Sequence, residues 1–394
     1  VSSVVPWCNA TPMLRRETLV DHSASSMRAT LEAARADFMA NLPVAENVRR
    51  DRLDRAIAML ADHAPRFCTA VAEDFGARSH ELTMLTDIGP SIAALKHARK
   101  HLGSWMRGER RKSLFPLGLL GARSRVEYQP KGVVGIVAPW NFPIGMVMVP
   151  LAGIFAAGNR AFAKPSEFTP ATTALFEELV PTYFAATDFA VASGGPEVGQ
   201  AFTALPFDHI IFTGATGIGR HVMRAAADNL VPVTLELGGK SPVIVGQSAD
   251  LALTASRVAT GKLMNAGQIC LAPDYMLIDE PREQQLVNEL VVAATTMFPT
   301  ILANPDYTAI VNDRHHARLT AHLDDARSKG ADIIVVNPAN EDFASANSRK
   351  MPLHIIRGAT DEMSVMQEEI FGPLLPLRRA ASTAEAIAYV NAHD

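Results

Sequence analysis

Apolar residues recur at intervals of three and four from about Ser25 to Arg107, as in Leu53, Ile57 and Leu60 and again in Ile92, Leu95 and Leu102. That period lines one face of a helix, so this stretch is predicted to be helical, with breaks near Pro43, Gly76 and Gly108. A Gly-rich connector follows, and residues 123–128 alternate as an exposed strand does. The pattern then changes. Val133-Val134-Gly135-Ile136-Val137-Ala138 is an unbroken apolar run of strand length, which requires cover on both faces.

From there strand-like and helix-like segments alternate. Strands are expected at 160–164, 189–192, 209–213 and 231–237, with helices at about 169–184, at 196–205 and up to Asn229. Successive βαβ units make a parallel sheet wound with helices on both sides the economical fold, with ligands at the carboxyl ends of its strands. A second α/β region begins after Gly238, with helices near 251–264, 282–297 and 313–329 and a strand at 332–337. No internal repeat or low-complexity segment is visible. The chain opens on Val1, as an alternative start codon read literally or a cut fragment does. It ends on Ala-Ile-Ala-Tyr-Val-Asn-Ala-His-Asp, which reads as the middle of an amphipathic helix.

Composition narrows the class. At 394 residues the chain exceeds the size at which one core keeps growing, so two domains are expected. Hydrophobic residues make up 48% and charged residues 20%, an ordinary globular profile. A net charge of -4 gives no electrostatic reason for a nucleic acid or an anionic membrane as partner. The one basic run, Arg107-Gly108-Glu109-Arg110-Arg111-Lys112, reads as a solvated connector. Cys8, Cys68 and Cys270 lie far apart, so neither a disulfide framework nor a CxxC metal pattern can be written, and a reducing, cytoplasmic setting is expected. The longest apolar stretch, 144–158, contains Pro150 and falls short of the roughly 20 residues that cross a bilayer, so it is read as a buried segment.

Three places carry candidate chemistry. Phe212-Thr213-Gly214-Ala215-Thr216-Gly217-Ile218-Gly219 sets a glycine-rich turn between strand and helix, suited to a pyrophosphate. Its Gly-x-x-Gly-x-Gly spacing is not the usual dinucleotide fingerprint, so a plain tight turn stays open. Gly238-Gly239-Lys240-Ser241 mimics the tail of a nucleotide-hydrolase phosphate loop, but Thr234 stands where its first glycine belongs. Cys270, at the end of a helical stretch, is an inert core residue or a nucleophile, and it becomes a nucleophile only if its proton is removed. Glu236 is the nearest candidate base by pattern, at a place where a carboxylate is costly to bury without a task. Asn141, just past a buried strand, is an oxyanion donor or a helix cap.

The set as a whole resembles the aldehyde dehydrogenase superfamily. The matching pieces, in order, are Pro139-Trp140-Asn141-Phe142-Pro143, Lys164-Pro165-Ser166-Glu167, Phe212-Thr213-Gly214 with Gly219, Glu236-Leu237-Gly238-Gly239-Lys240, Gly267-Gln268-Ile269-Cys270 and Glu369-Ile370-Phe371-Gly372-Pro373. Cys270-Leu271-Ala272-Pro273-Asp274-Tyr275 and Val311-Asn312-Asp313-Arg314-His315 are similar to the branch of class 3 and coniferyl aldehyde dehydrogenases.

The resemblance implies a Rossmann-like parallel-sheet cofactor domain (1–111 and 131–237, its N-terminal part helical), a connector with an oligomerisation strand (112–130) and a second α/β catalytic domain (238–394). It implies NAD(P)-dependent oxidation of an aldehyde to a carboxylic acid. Cys270 is the implied nucleophile, Asn141 with the Cys270 backbone N–H the oxyanion donors, and Glu236 the base for hydrolysis. Lys164 and Glu167 take the adenosine ribose, Gly214 and Gly219 border the pyrophosphate, Glu369 takes the nicotinamide ribose, and Trp140 and Phe371 complete the cofactor pocket. Glu167 would accept from a free ribose 2′-hydroxyl and repel a 2′-phosphate, favouring NAD over NADP. Aromatic, coniferyl-type or medium-chain aldehydes are the implied substrates, and a homodimer or homotetramer the implied assembly. Two features depart from the family: Ala215 replaces a common serine, and family members continue past Asp394, so a truncated catalytic domain is expected. The competing readings are an enzyme that passes the acyl group to coenzyme A, against which Glu236 argues, and a fragment without turnover.

Overall fold

The computed structural model describes residues 23–393, so Cys8, the opening of the expected 1–111 unit and Asp394 lie outside it. The helical opening consists of α1 (Ala24–Ala40), α2 (Glu46–Phe75), α3 (His80–Thr83) and α4 (Gly89–Trp105). The Ser23 hydroxyl starts α1 by accepting from the Ser26 N–H, and Gly76 ends α2 in the left-handed region at φ 75°. Between α3 and α4 the residues Met84–Ile88 form a π-helical turn. This wide turn fits only because residue 89 is glycine: a Cβ there would stand 2.8 Å from the Met84 carbonyl oxygen. Such turns insert one extra residue into a helix and cluster at functional sites. Here the turn contains Asp87, which is fully buried.

The basic run is largely exposed, as expected, but it also supplies β1 (Glu109–Arg111), paired antiparallel with β2 (Ser124–Val126). The hairpin tip presents Leu114, Phe115, Leu119 and Leu120, each at least 77% exposed.

The alternating segments are β3 (Val133–Val137), α5 (Gly145–Ala156), β4 (Arg160–Lys164), α6 (Pro170–Tyr183), β5 (Phe189–Val191), α7 (Pro196–Thr203), β6 (His209–Gly214), α8 (Thr216–Ala227) and β7 (Val233–Leu237). The five strands form one parallel sheet in the order β5-β4-β3-β6-β7. One face is covered around Phe67, Leu151, Phe155 and Phe176 of α2, α5 and α6. The other is covered around Met27, Phe202 and Val222 of α1, α7 and α8. Burial on two sides explains why β3 and β4 read as continuous apolar runs. The buried stretch 144–158 is α5, and β7 begins at Val233, not 231, because Pro232 has no ladder N–H to give. The chain leaves β3 in one direction through β4 and β5 and in the other through β6 and β7, so the loops after β3 and β6 flank the point where strand order reverses.

The remainder forms a second sheet from β8 (Pro242–Ile244), β9 (Tyr275–Ile278), β10 (Asp332–Val336), β11 (Leu353–Arg357) and β12 (Leu374–Arg379), ordered β10-β11-β12-β9-β8. β10 is antiparallel to β11 and the other pairs are parallel. Its helices are α9 (Leu251–Leu263), α10 (Glu280–Met297), α11 (Asp313–Ser328), α12 (Ser364–Gln367) and α13 (Thr383–Asn391). Of these strands the apolar pattern had shown only β10; β8 and β12 each carry a proline, β9 has four residues, and His354 interrupts β11. The helix expected in the tail is α13, Thr383–Asn391.

One of the places where the two sheets are joined is the seam at Arg349. Arg349 donates from Nε to the Ile310 carbonyl (2.9 Å) and from Nη2 to the Phe75 carbonyl (2.8 Å), and the Ala309 N–H donates to the Ala77 carbonyl (2.9 Å). Among the described residues no helix is long and apolar enough to cross a membrane.

Candidate active site

Cys270 does not end a helix. After α9 the chain reverses through three successive left-handed residues, Asn265 (φ 50°), Ala266 (φ 53°) and Gly267 (φ 73°). Glycine is required at 267, where a Cβ would stand 2.5 Å from the Gly372 carbonyl oxygen. Left-handed backbone costs an L-residue about 1–2 kcal/mol, so the reversal needs an external hold. Gln268, fully buried, provides it. Its amide nitrogen donates to the carbonyls of Asn265 (2.9 Å) and Ala309 (3.1 Å), and its amide oxygen accepts the Val311 N–H (3.0 Å). Beyond that anchor Cys270 is exposed, whereas Cys68 is buried.

Asn141, 4% exposed, reaches the same loop from β3 of the other sheet. Its side-chain Nδ2 donates to the Gln268 carbonyl at 3.1 Å, two residues before the thiol. One N–H of the amide is thereby used and the second is left over. Asn141 is not a helix cap. The N–H groups of Ile144, the N-cap residue of α5, and of Gly145, its first residue, donate to Asp87 Oδ1 at 3.2 and 2.9 Å.

Glu236 stands on β7 opposite Thr213 and is exposed, so the expectation of a costly buried carboxylate does not hold at this position. A β-strand alternates its sides, and Glu236 falls on the open one with Thr234. Glu369, in the loop before β12, is the half-buried carboxylate: it lies against Gly238, where any Cβ would collide with it, and accepts the Gly239 N–H. Burial raises its pKa, opposed by that hydrogen bond. Burial also pushes the Cys270 thiol above its ordinary value; its own backbone N–H opposes the rise, and the charges of Glu369 and then Glu236 add to it. At neutral pH the resting sulfur therefore carries its proton.

The Glu369 segment is latched from several sides. Lys240 pairs with Asp274 and donates to the carbonyls of Val365 (2.9 Å) and Glu368 (3.0 Å); Asp274 accepts the Ile370 N–H (2.9 Å). Arg318 donates to the carbonyls of Glu369 (3.2 Å) and Ile370 (2.6 Å). Phe371, left-handed at φ 49°, meets Trp140 edge-on at 5.3 Å, and Trp140 meets His315 at 4.9 Å. Burial, with Arg318 and Arg314 nearby, pushes His315 down to about 4, so this wall is uncharged.

The remaining candidates gather at the carboxyl ends of β4 and β6. Lys164, the last residue of β4, is buried with Nζ 3.0 Å from Glu167 Oε2. Gly214 ends β6; a Cβ there would press on the Phe212 ring at 2.8 Å, and one at Gly219 would meet Leu237 at 2.8 Å, so both hold the turn tight against the sheet. A Cβ at Gly195 or Gly217, at the starts of α7 and α8, would meet nothing within 4 Å. Ala215, the N-cap of α8, offers no side-chain acceptor to the first-turn N–H groups. Open space, unengaged helix-start donors and a buried lysine beside a carboxylate fit a dinucleotide along this edge.

Several participants carried no assignment from the sequence. Lys262 is fully buried, its Nζ without a hydrogen-bond partner, near Asp274, Lys240 and Glu369. A lysine in the buried stripe Leu251, Ala255, Val258, Ala259, Lys262 was the available signal. The Gln268 tether and Arg78, which donates from Nη1 to the Asn141 carbonyl (2.8 Å), left none, since their partners are distant in sequence.

The sequence profile of the aldehyde dehydrogenase family matches residues 15–394. The chain is 52% identical over 375 residues to a probable coniferyl aldehyde dehydrogenase of Caulobacter vibrioides, covering 95% of this chain and 77% of that protein. It is 51% identical over 368 residues to a coniferyl aldehyde dehydrogenase of a Pseudomonas species, covering 93% and 76%. Among solved structures, an aldehyde dehydrogenase of Mycobacterium tuberculosis complexed with NAD+ superposes with a TM-score of 0.83 at 26% identity, over 94% of this chain and 76% of that one.

Proposed function

This chain belongs to the aldehyde dehydrogenase family and is an NAD(P)-dependent aldehyde dehydrogenase, and we propose that it oxidises aldehydes to carboxylic acids by covalent catalysis at Cys270. The observation that carries this reading is the convergence of Asn141 on the exposed thiol loop, with one amide N–H on the Gln268 carbonyl and the other available. Cys270 Sγ, its proton released to solvent at the exposed loop, adds to the aldehyde carbon. The carbonyl oxygen takes the negative charge, held by Asn141 Nδ2 and the Cys270 backbone N–H. When bound, an oxidised nicotinamide supplies the acceptor for the hydride that leaves that carbon. Glu236, exposed and therefore solvated, takes a proton from the water that cleaves the resulting thioester, freeing the acid and the thiol.

Lys164 and Glu167 hold the adenosine ribose, the turn from Gly214 to Gly219 borders the pyrophosphate, and Glu369, Phe371 and Trp140 hold the nicotinamide end. The Glu167 carboxylate, partly exposed beside Lys164, favours a free 2′-hydroxyl and hence NAD over NADP. The likeness to coniferyl aldehyde dehydrogenases supports aromatic, coniferyl-type aldehydes as substrates. Residues 1–111 and 131–237 act as the cofactor domain and 238–394 as the catalytic domain, in a cytoplasmic setting.

The test follows nicotinamide reduction over a panel of aromatic and aliphatic aldehydes, with and without coenzyme A. Cys270→Ala is expected to abolish turnover. Glu236→Gln is expected to give one burst of reduced cofactor and then turnover slower by about 100-fold or more. Retained activity in Cys270→Ala, or product only when coenzyme A is added, defeats the reading.

A further inference from the structure

The ion pair of Arg78 and Asp87 lies beneath the turn that carries Asn141, with both side chains fully excluded from solvent and Nη2 2.6 Å from Oδ2. The catalytic steps above use neither residue. Burying two charges costs several kcal/mol per ion, and an apolar pair of the same size would often be more stable, so a buried pair is weak evidence of a purely stabilising role. The partners of this pair point elsewhere. Arg78 Nη1 donates to the Asn141 carbonyl at 2.8 Å, and Nη2 also donates to Thr86 Oγ1 at 3.0 Å. Asp87 Oδ1 accepts the N–H groups of Ile144 and Gly145. The guanidinium lies over the rings of Phe75 at 4.9 Å and Phe142 at 5.2 Å. One end of the turn 141–145 is thus gripped by the cation and the other by the anion. The π-helical turn at Met84–Ile88 contains the residue that grips it.

We propose that Arg78 and Asp87 are positioning residues for the oxyanion donor: they clamp both ends of the 141–145 turn so that the Asn141 amide keeps its aim at the carbonyl oxygen of a substrate bound to Cys270. The inference rests on the assignment of Asn141 as that donor. A donor must stand where charge develops, and a misplacement of about 1 Å costs on the order of 100-fold in rate. A lysine at 78 keeps the charge but cannot serve three acceptors in the fixed fork of a guanidinium.

The experiment is a double-mutant cycle of Arg78→Lys and Asn141→Ala, read in two ways and normalised to the number of Cys270 thiols that react with iodoacetamide. The first reading is kcat for aldehyde oxidation, with NAD affinity measured separately by tryptophan quenching. The second needs no cofactor. It is the burst of nitrophenolate from p-nitrophenyl acetate, where the thiolate adds to the ester carbonyl, the carbonyl oxygen becomes anionic, and the bond from the acyl carbon to the phenolic oxygen breaks to release nitrophenolate and leave an acetyl thioester on Cys270. Asn141→Ala is expected to lose about 100-fold in both readings. Arg78→Lys is expected to lose at least tenfold per reactive thiol, with NAD affinity within about twofold of the parent, and the double variant to be no slower than Asn141→Ala alone. Should Arg78→Lys fail to fold, Asp87→Asn, which keeps an acceptor for Ile144 and Gly145, takes its place in the same cycle with the same expectation. Parental rates per thiol in the Arg78 or Asp87 variant, or losses that multiply in the double variant, overturn the proposal. Parental rates in Asn141→Ala overturn instead the assignment on which it rests.

Discussion

Cys270 is open to solvent as a residue, yet its sulfur is held protonated by burial and by two carboxylates. The sign of each influence sets a measurable order. Because Glu369 acts more strongly than Glu236, Glu369→Gln should move the pH profile of iodoacetamide alkylation to lower pH by more than Glu236→Gln does, and both should move it below the parent. A shift in the opposite direction in either variant shows that the carboxylate does not face the thiol. Lys262 poses the inverse case. Burial lowers its pKa to about 8, so between about 8 and the ordinary lysine value of 10.5 the fold sheds a proton that the unfolded chain keeps. Stability therefore rises with pH across that window. Lys262→Met should raise the thermal midpoint at pH 7 by a few degrees, on the order of 1 kcal/mol, and the gain should vanish above the window. An equal gain at every pH would mean that lost charge is not its cause.

Elements differ in how far the chain reveals them. β3, β4 and the helices around them were legible because two-sided burial writes itself as apolar runs and three-four spacing. β8, β9, β11 and β12 were not: β8 and β12 each carry a proline, which argues against a strand, β9 has only four residues, and His354 interrupts the apolar run of β11. The motifs at Asn141, Glu236 and Cys270 were legible as residue types, but their mutual aim was not. That aim depends on Gln268 meeting residues 309–311, on Arg78 meeting Asn141 and on Asp87 meeting 144–145, pairings that no local pattern encodes. Asp74 is another such long-range cap. From the end of α2 it accepts the Ala171 N–H (2.8 Å), the Thr172 N–H (2.9 Å) and the Thr172 hydroxyl (2.6 Å), starting α6 just beyond Lys164 and Glu167. Asp74→Ala should lower stability by about 1–2 kcal/mol, visible as a reduced urea midpoint with unchanged slope, and should weaken NAD binding more than it slows the acyl steps. A larger effect on kcat than on NAD affinity would place Asp74 elsewhere in the mechanism.

At the scale of the molecule, the β1–β2 hairpin is an apolar projection. Leu114, Phe115, Leu119 and Leu120 stand 77–80% exposed on a two-stranded ribbon that packs little core of its own. Such a patch marks an association surface. We expect the protein to sediment as a dimer or tetramer, and Phe115→Ser with Leu119→Ser to shift it toward monomer without changing the NAD affinity of each chain. An unshifted sedimentation coefficient would show that the subunits meet elsewhere.

The seam at Arg349 also bears on the nucleophile. A single guanidinium fastens residue 310 of one lobe to residue 75 of the other, and the backbone bond from Ala309 to Ala77 lies beside it. The same short stretch, through Ala309 and Val311, also anchors Gln268 behind the nucleophile. The backbone that fastens the two lobes and the backbone that anchors the thiol loop are thus one stretch, residues 309–311, so a displacement of one lobe against the other at this seam is passed through Gln268 to the loop that carries Cys270.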